Sequence, residues 1–169
     1  MRHTPQSLAK QFSHGVYVNS SDALLWREAF TYLSSINDDS IFVKDKVRSL
    51  WLTYGSDLRA RIKDDNLILQ VLQKSLPGYS GDGWTLYRGE SWFLFDPNQI
   101  GFFWTPSETL ATTYAQGMNA IESGGVLLKC YAPTEAILAA PEAEGENSVW
   151  ICDPTKLLRL STLALFPKL

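Results

Sequence analysis

Cations are scarce over much of this chain. Between Asp82 and Thr155 only Arg88 and Lys129 are basic. Residues 1–80 carry 10 basic and 8 acidic side chains, a net +2. Residues 81–169 carry 5 and 10, a net -5. That balance excludes a broad basic footprint for nucleic acid and leaves only local patches. Long apolar runs are lacking too, and none approaches the ~20 residues that span a bilayer. Residues 1–18 hold no continuous apolar stretch of signal-peptide type, so a cytoplasmic chain without a membrane partner is expected. Only two cysteines occur, Cys130 and Cys152, both in apolar surroundings and without Cys-x-x-Cys spacing. Two buried free thiols are expected. No internal repeat, low-complexity tract or heptad is present.

What is there is an ordinary globular composition, 45% hydrophobic and 12% aromatic. Glycine divides the chain as sharply as charge does. Nine of eleven glycines lie between Gly78 and Gly145, so a helical first region and a turn-rich second one are expected. The division predicted is a helical region over 1–80 and a β-rich core over 81–169. In the first, residues 21–36 place Trp26, Ala29, Phe30 and Leu33 on one helical face. Residues 40–54 repeat the pattern with Val43, Val47, Leu50, Trp51 and Tyr54, and Gly55 suits a C-terminal cap. A third helix is predicted from Asp64 or Asp65, with Ile68, Val71, Leu72 and Leu76 inward and Pro77-Gly78 as its stop. Arg59, Arg61 and Lys63 form a short basic cluster. It reads as solvated surface, or else as a lean towards phosphate or an acidic partner.

After Pro77 come short runs of strand character: 84–88, 101–104, 126–131, 136–139, 149–152 and 157–166. One helix interrupts them. Thr105-Pro106-Ser107-Glu108 fits a capping box with Thr105 as N-cap, and Gly117 can end the helix. Three features offer chemistry, and one is this helix start, Phe103-Trp104-Thr105-Pro106-Ser107, where capping explains Thr105 but the exposed amides and hydroxyls could also orient a ligand. Arg88 leaves an apolar strand beside Gly89. Its planar fork of donors suits a phosphate, or a structural ion pair with Glu90 or a later acid. The run Pro141-Glu142-Ala143-Glu144-Gly145-Glu146-Asn147-Ser148 gathers carboxylates without a cation between Cys130 and Thr155. No histidine lies near and calcium-loop spacing is absent, so no metal is expected. The run reads as a solvated loop, or as the source of a carboxylate that stabilises a cationic transition state.

These residues also occur in a telling order. Leu86-Tyr87-Arg88-Gly89-Glu90 comes first. Gly101-Phe102-Phe103-Trp104-Thr105-Pro106-Ser107 then opens a helix running to Tyr114-Ala115. Gly124-Gly125-Val126-Leu127-Leu128 follows, and a Glu-rich turn leads into Val149-Trp150-Ile151-Cys152-Asp153-Pro154. This order resembles the ADP-ribosyltransferase superfamily in its Arg–Ser–Glu branch, particularly small prokaryotic and phage members, over about residues 82–166. The resemblance implies an α+β fold, with a helical layer followed by a split, mixed β-sheet core that binds NAD as substrate. It implies Arg88 on the NAD phosphates or adenosine-side ribose and the Gly89 backbone on the nicotinamide carboxamide. Thr105 would support NAD and the catalytic carboxylate, with Trp104 and Tyr114 near the nicotinamide. Two positions depart from the family pattern. Phe103 stands where serine is usual, and Ser148 where the catalytic Glu is usual. Glu146 is therefore the expected catalytic carboxylate, with Glu144 second.

The activity implied is mono-ADP-ribosyl transfer to a macromolecular acceptor, with protein favoured over nucleic acid. A toxin or phage–host conflict setting and an antitoxin partner come with the resemblance. The alternatives are an NAD glycohydrolase of the same fold, and a degenerate binding or inhibitory module.

Overall fold

The computed structural model describes residues 2–95, 99–142 and 148–169. The chain is α+β, with helices preceding strands, and divides into two compact units, Met1–Pro77 and Gly78–Leu169.

The first unit has four helices: α1 (Pro5–Ser13), α2 (Ala23–Ser35), α3 (Lys44–Ile62) and α4 (Asp65–Ser75). Three starts are capped by side chains. Thr4 and Ser7 form a reciprocal capping box on α1, Asp22 accepts from Leu25 N on α2, and Asp64 accepts from Leu67 N on α4. The apolar faces of α2 and α4 are buried as their spacing requires, with Trp26, Ala29, Phe30 and Leu33 on one and Ile68, Val71 and Leu72 on the other. Gly55 is not a cap. It lies inside α3, where an added Cβ would sit 2.8 Å from the Trp51 ring. Its missing side chain lets that ring lie flat along the helix, which then continues to Ile62. Tyr54 turns outward and stacks on Tyr17 at 3.9 Å. Two of the three residues of the basic cluster are engaged locally. Arg59 holds Asp65 through two bonds of 2.9 and 2.8 Å. Arg61 donates to Tyr17 Oη and the Ser20 carbonyl and pairs with Asp57. Lys63 ends α3 in the left-handed region.

The second unit carries β1 (Trp84–Ser91), α5 (Trp92–Phe95), β2 (Phe103–Trp104), α6 (Glu108–Gln116), β3 (Gly125–Ala132), β4 (Ile137–Ala139), β5 (Trp150–Cys152) and β6 (Leu158–Phe166). Its strands form two three-stranded sheets, ordered β1-β3-β6 and β2-β5-β4. The sheet is split as expected but not mixed. Every strand ladder among the described residues is antiparallel, and the one parallel contact is the isolated bridge Gly78–Ala139.

Period-two alternation gives β1 and β3 two faces. Leu86, Val126, Leu128, Cys130 and Ala132 enter a core shared with Ile100, Trp104, Ile137, Trp150 and Cys152. On the opposite face Leu127 packs with Ala111 and Ala115 of α6, and Tyr87, Ala164 and Phe166 border that cluster. Helix α6 comes close enough to exclude side chains beneath it. A Cβ on Gly89 would fall 2.5 Å from both the Ala111 carbonyl oxygen and the Ala115 nitrogen. One on Gly125 would collide with the Ala115 carbonyl. Both cysteines are buried and free.

Candidate functional site

One antiparallel bridge joins the two sheets. Tyr87 N donates to Thr105 O at 2.7 Å, and Thr105 N donates to Tyr87 O at 2.9 Å. Continuing that pairing would set Gly89 against Phe103 and Ser91 against Gly101. The ladder does not continue, and two side chains of β1 explain why.

Arg88 and Glu90 are two apart on a strand and share a face. Both reach across to the segment leading into β2. Arg88 Nη1 donates to the Phe103 carbonyl at 2.9 Å. Arg88 Nε donates to Glu90 Oε2 at 2.8 Å. The same Oε2 accepts from Gly101 N at 2.9 Å, while Oε1 accepts from Ser91 N at 3.0 Å. The backbone groups that would have met each other are thus taken by an ion pair wedged between the strands. Glu90 is 1% exposed and Arg88 18%. Burying a carboxylate is tolerable here because three donors surround it. Gly101 makes room, since an added Cβ would strike the Arg88 guanidinium, with Cζ only 2.5 Å away.

Gly89 lies two residues beyond the bridge, where the two strands part. Successive strand residues turn their N–H and C=O to alternate sides, so Gly89, like Tyr87, faces away from β3. Its carbonyl accepts a 2.7 Å bond from Asn119 Nδ2, in the turn Met118–Ala120. Its N–H has lost its natural acceptor, the Phe103 carbonyl, to Arg88. No described residue replaces it, although Gly89 is buried. Tyr114 of α6 borders this point. Its Cβ lies 3.0 Å from where a Gly89 Cβ would stand, and the side chain is 47% exposed.

The seam therefore brings together Arg88, Gly89, Thr105 and Tyr114 of the expected site. Two roles change. Thr105 is not the N-cap of α6. Its backbone is committed to the bridge and its Oγ1 accepts from Ser107 N, while Ser107 caps the helix by accepting from Leu110 N at 3.1 Å. A two-bond bridge between sheets takes precedence over a local cap when the next hydroxyl can replace it. Trp104 is a core residue. At 1% exposure, with its Nε1 donating to the Gly101 carbonyl at 3.1 Å, it has no free face for a nicotinamide ring. Ser148 is half-buried just before β5. Glu144 and Glu146 lie outside the described residues.

Sequence reading missed Asn119 and Gly101. An asparagine after a helix gives no signal of a partner thirty residues earlier. Gly101 was legible only as a strand residue, while its part is to admit a guanidinium. Among the described residues no group of three potential metal ligands occurs, and no helix is long and apolar enough to cross a membrane. Comparison with protein-family models, curated proteins and solved structures finds no match.

Proposed function

We propose that this chain is a mono-ADP-ribosyltransferase that moves ADP-ribose from NAD to a macromolecular acceptor, with protein favoured over nucleic acid. The observation that carries this reading is the parted seam, where a strand-edge glycine with an open N–H adjoins a guanidinium. A carboxamide suits the glycine edge and a phosphate suits the guanidinium, and NAD carries both groups. In this reading the fold is of ADP-ribosyltransferase type. Glu146, or Glu144 in its place, stabilises the oxocarbenium-like ribose as the bond to nicotinamide breaks. The bonding pair leaves with the nicotinamide nitrogen. The acceptor nucleophile bonds to the ribose carbon and gives up its proton.

The test is transfer of labelled ADP-ribose from NAD to protein acceptors. Glu146→Gln should lower transfer at least a hundredfold with the fold intact by circular dichroism. Full activity in both Glu146→Gln and Glu144→Gln would refute the assignment of the carboxylate. Nicotinamide release without a labelled acceptor would instead indicate NAD hydrolysis. One observation favours a second reading, a nucleotide-binding or inhibitory module without transfer. Two of the Arg88 nitrogens already serve Glu90 and Phe103. NAD binding with no nicotinamide release would select it.

A further inference from the structure

We propose that Asn119 guards the Gly89 edge as a built-in competitor for a carboxamide ligand. This rests on the reading of the seam as an NAD site and adds a regulator to it. Gly89 offers one donor and one acceptor side by side on the strand edge that faces away from β3. A primary carboxamide offers the complementary pair. The Asn119 side chain is itself a primary carboxamide, and its nitrogen already sits on the Gly89 carbonyl at 2.7 Å. The molecule thus displays the chemistry that its edge accepts.

Asn119 satisfies only half of that edge, because the Gly89 N–H has no acceptor among the described residues. A ligand amide that bonds both groups replaces one hydrogen bond with two and fills a buried orphan donor. Asn119 costs such a ligand one hydrogen bond of affinity. The ligand class is a planar primary carboxamide, of which nicotinamide is the probe. Nicotinic acid has the same ring and no amide donor, so it gains nothing from the Gly89 carbonyl.

The experiment measures nicotinamide and nicotinic acid binding to wild type, Asn119→Ala and Asn119→Asp by titration calorimetry. NAD binding is measured alongside. Neither substitution can donate to the Gly89 carbonyl. Both should tighten nicotinamide about fivefold, the worth of one net hydrogen bond, and Asn119→Ala should leave nicotinic acid unchanged. In wild type, nicotinamide should shift the Asn119 side-chain amide and Gly89 amide resonances in nitrogen–proton spectra. That measurement decides the matter if the variants fold poorly. Equal nicotinamide affinity in all three proteins, or unmoved Asn119 resonances at saturation, overturns the guard while the NAD reading stands. Absence of binding by both nicotinamide and NAD in every protein overturns the NAD reading and the guard together.

Discussion

Replacing Glu90 by Gln tests the physical account of the seam most directly. The carboxylate offers two acceptor oxygens, with Arg88 Nε and Gly101 N on Oε2 and Ser91 N on Oε1. A glutamine has one acceptor oxygen and one amino group. Its better orientation puts the oxygen at the Oε2 position and leaves the amino group facing the Ser91 N–H, donor against donor. One unpaired buried donor costs about 1–3 kcal/mol. Loss of the charge weakens the Arg88 bond by about 1 kcal/mol more, the difference between charged and neutral hydrogen bonds. Breaking a fully buried ion pair costs about 3–5 kcal/mol. Arg88 retains 18% exposure, so the lower end applies. The expected loss is about 3 kcal/mol.

Urea unfolding followed by tryptophan fluorescence measures this loss. With a slope of about 2 kcal/mol per molar urea, the midpoint should fall by about 1.5 M. Hydrogen exchange locates it, because the Ser91 and Gly101 amides should lose protection ahead of the β1–β3 ladder. A loss below about 0.5 kcal/mol, or unchanged protection at both amides, would refute the wedge as the reason the strands part.

Two further outcomes follow from packing and burial. Gly89→Ala should cost about 1–3 kcal/mol, because its Cβ meets backbone atoms of α6 that cannot swing aside; an unchanged melting temperature would contradict the close approach of that helix. Burial raises the Cys130 thiol from 9.0 to about 12 and raises Cys152 as well. The folded state holds these thiols protonated while the unfolded chain releases their protons. The stability this confers is complete below pH 9 and declines between about 9 and 12, by up to about 1.4 kcal/mol per pH unit per thiol. Wild type should therefore lose stability faster than a Cys130→Ala/Cys152→Ala variant between pH 9 and 10.5, and parallel slopes would contradict the burial.

The sequence was most informative where structure is local. Spacing located α2, α3 and α4, although α3 runs over Lys44–Ile62 rather than 40–54 and leaves Val43 and Tyr54 exposed. Helix α1 escaped notice because its nine residues bury little beyond Leu8, Ala9 and Phe12. Thr105-Pro106-Ser107-Glu108 contains two overlapping caps, Thr105 and Ser107, and local rules rank the first as highly as the second. The choice between them depends on Tyr87, which approaches only when the sheets form. The strand read over 101–104 forms a ladder with β5 only at Phe103 and Trp104, and Cys152 N also donates to the Phe102 carbonyl at 2.8 Å; on the edge towards β1, Gly101 N is held by a side chain rather than a strand. The parting of the sheets was invisible for the same reason. It follows from two side chains reaching segments more than ten residues away.

The scarcity of cations from Asp82 to Thr155 bears on what Arg88 can do. Its charge is matched by Glu90, so the pair is close to neutral and exerts little long-range pull on an anion. A guanidinium has five N–H donors. One on Nε and one on Nη1 are in use. Three remain, one on Nη1 and two on Nη2, which is enough in number for two phosphate oxygens without breaking the wedge. Structural and ligand-binding roles for Arg88 are therefore compatible, and they separate by their response to salt. An anion held by short bonds to a neutralised pair should lose less than tenfold affinity between 50 and 200 mM salt (an order-of-magnitude expectation, since screening weakens long-range attraction most). A loss of a hundredfold or more would mean that Glu90 leaves Arg88 when the anion arrives. In that case the seam would open on binding and Ser91 and Gly101 would give up the carboxylate together.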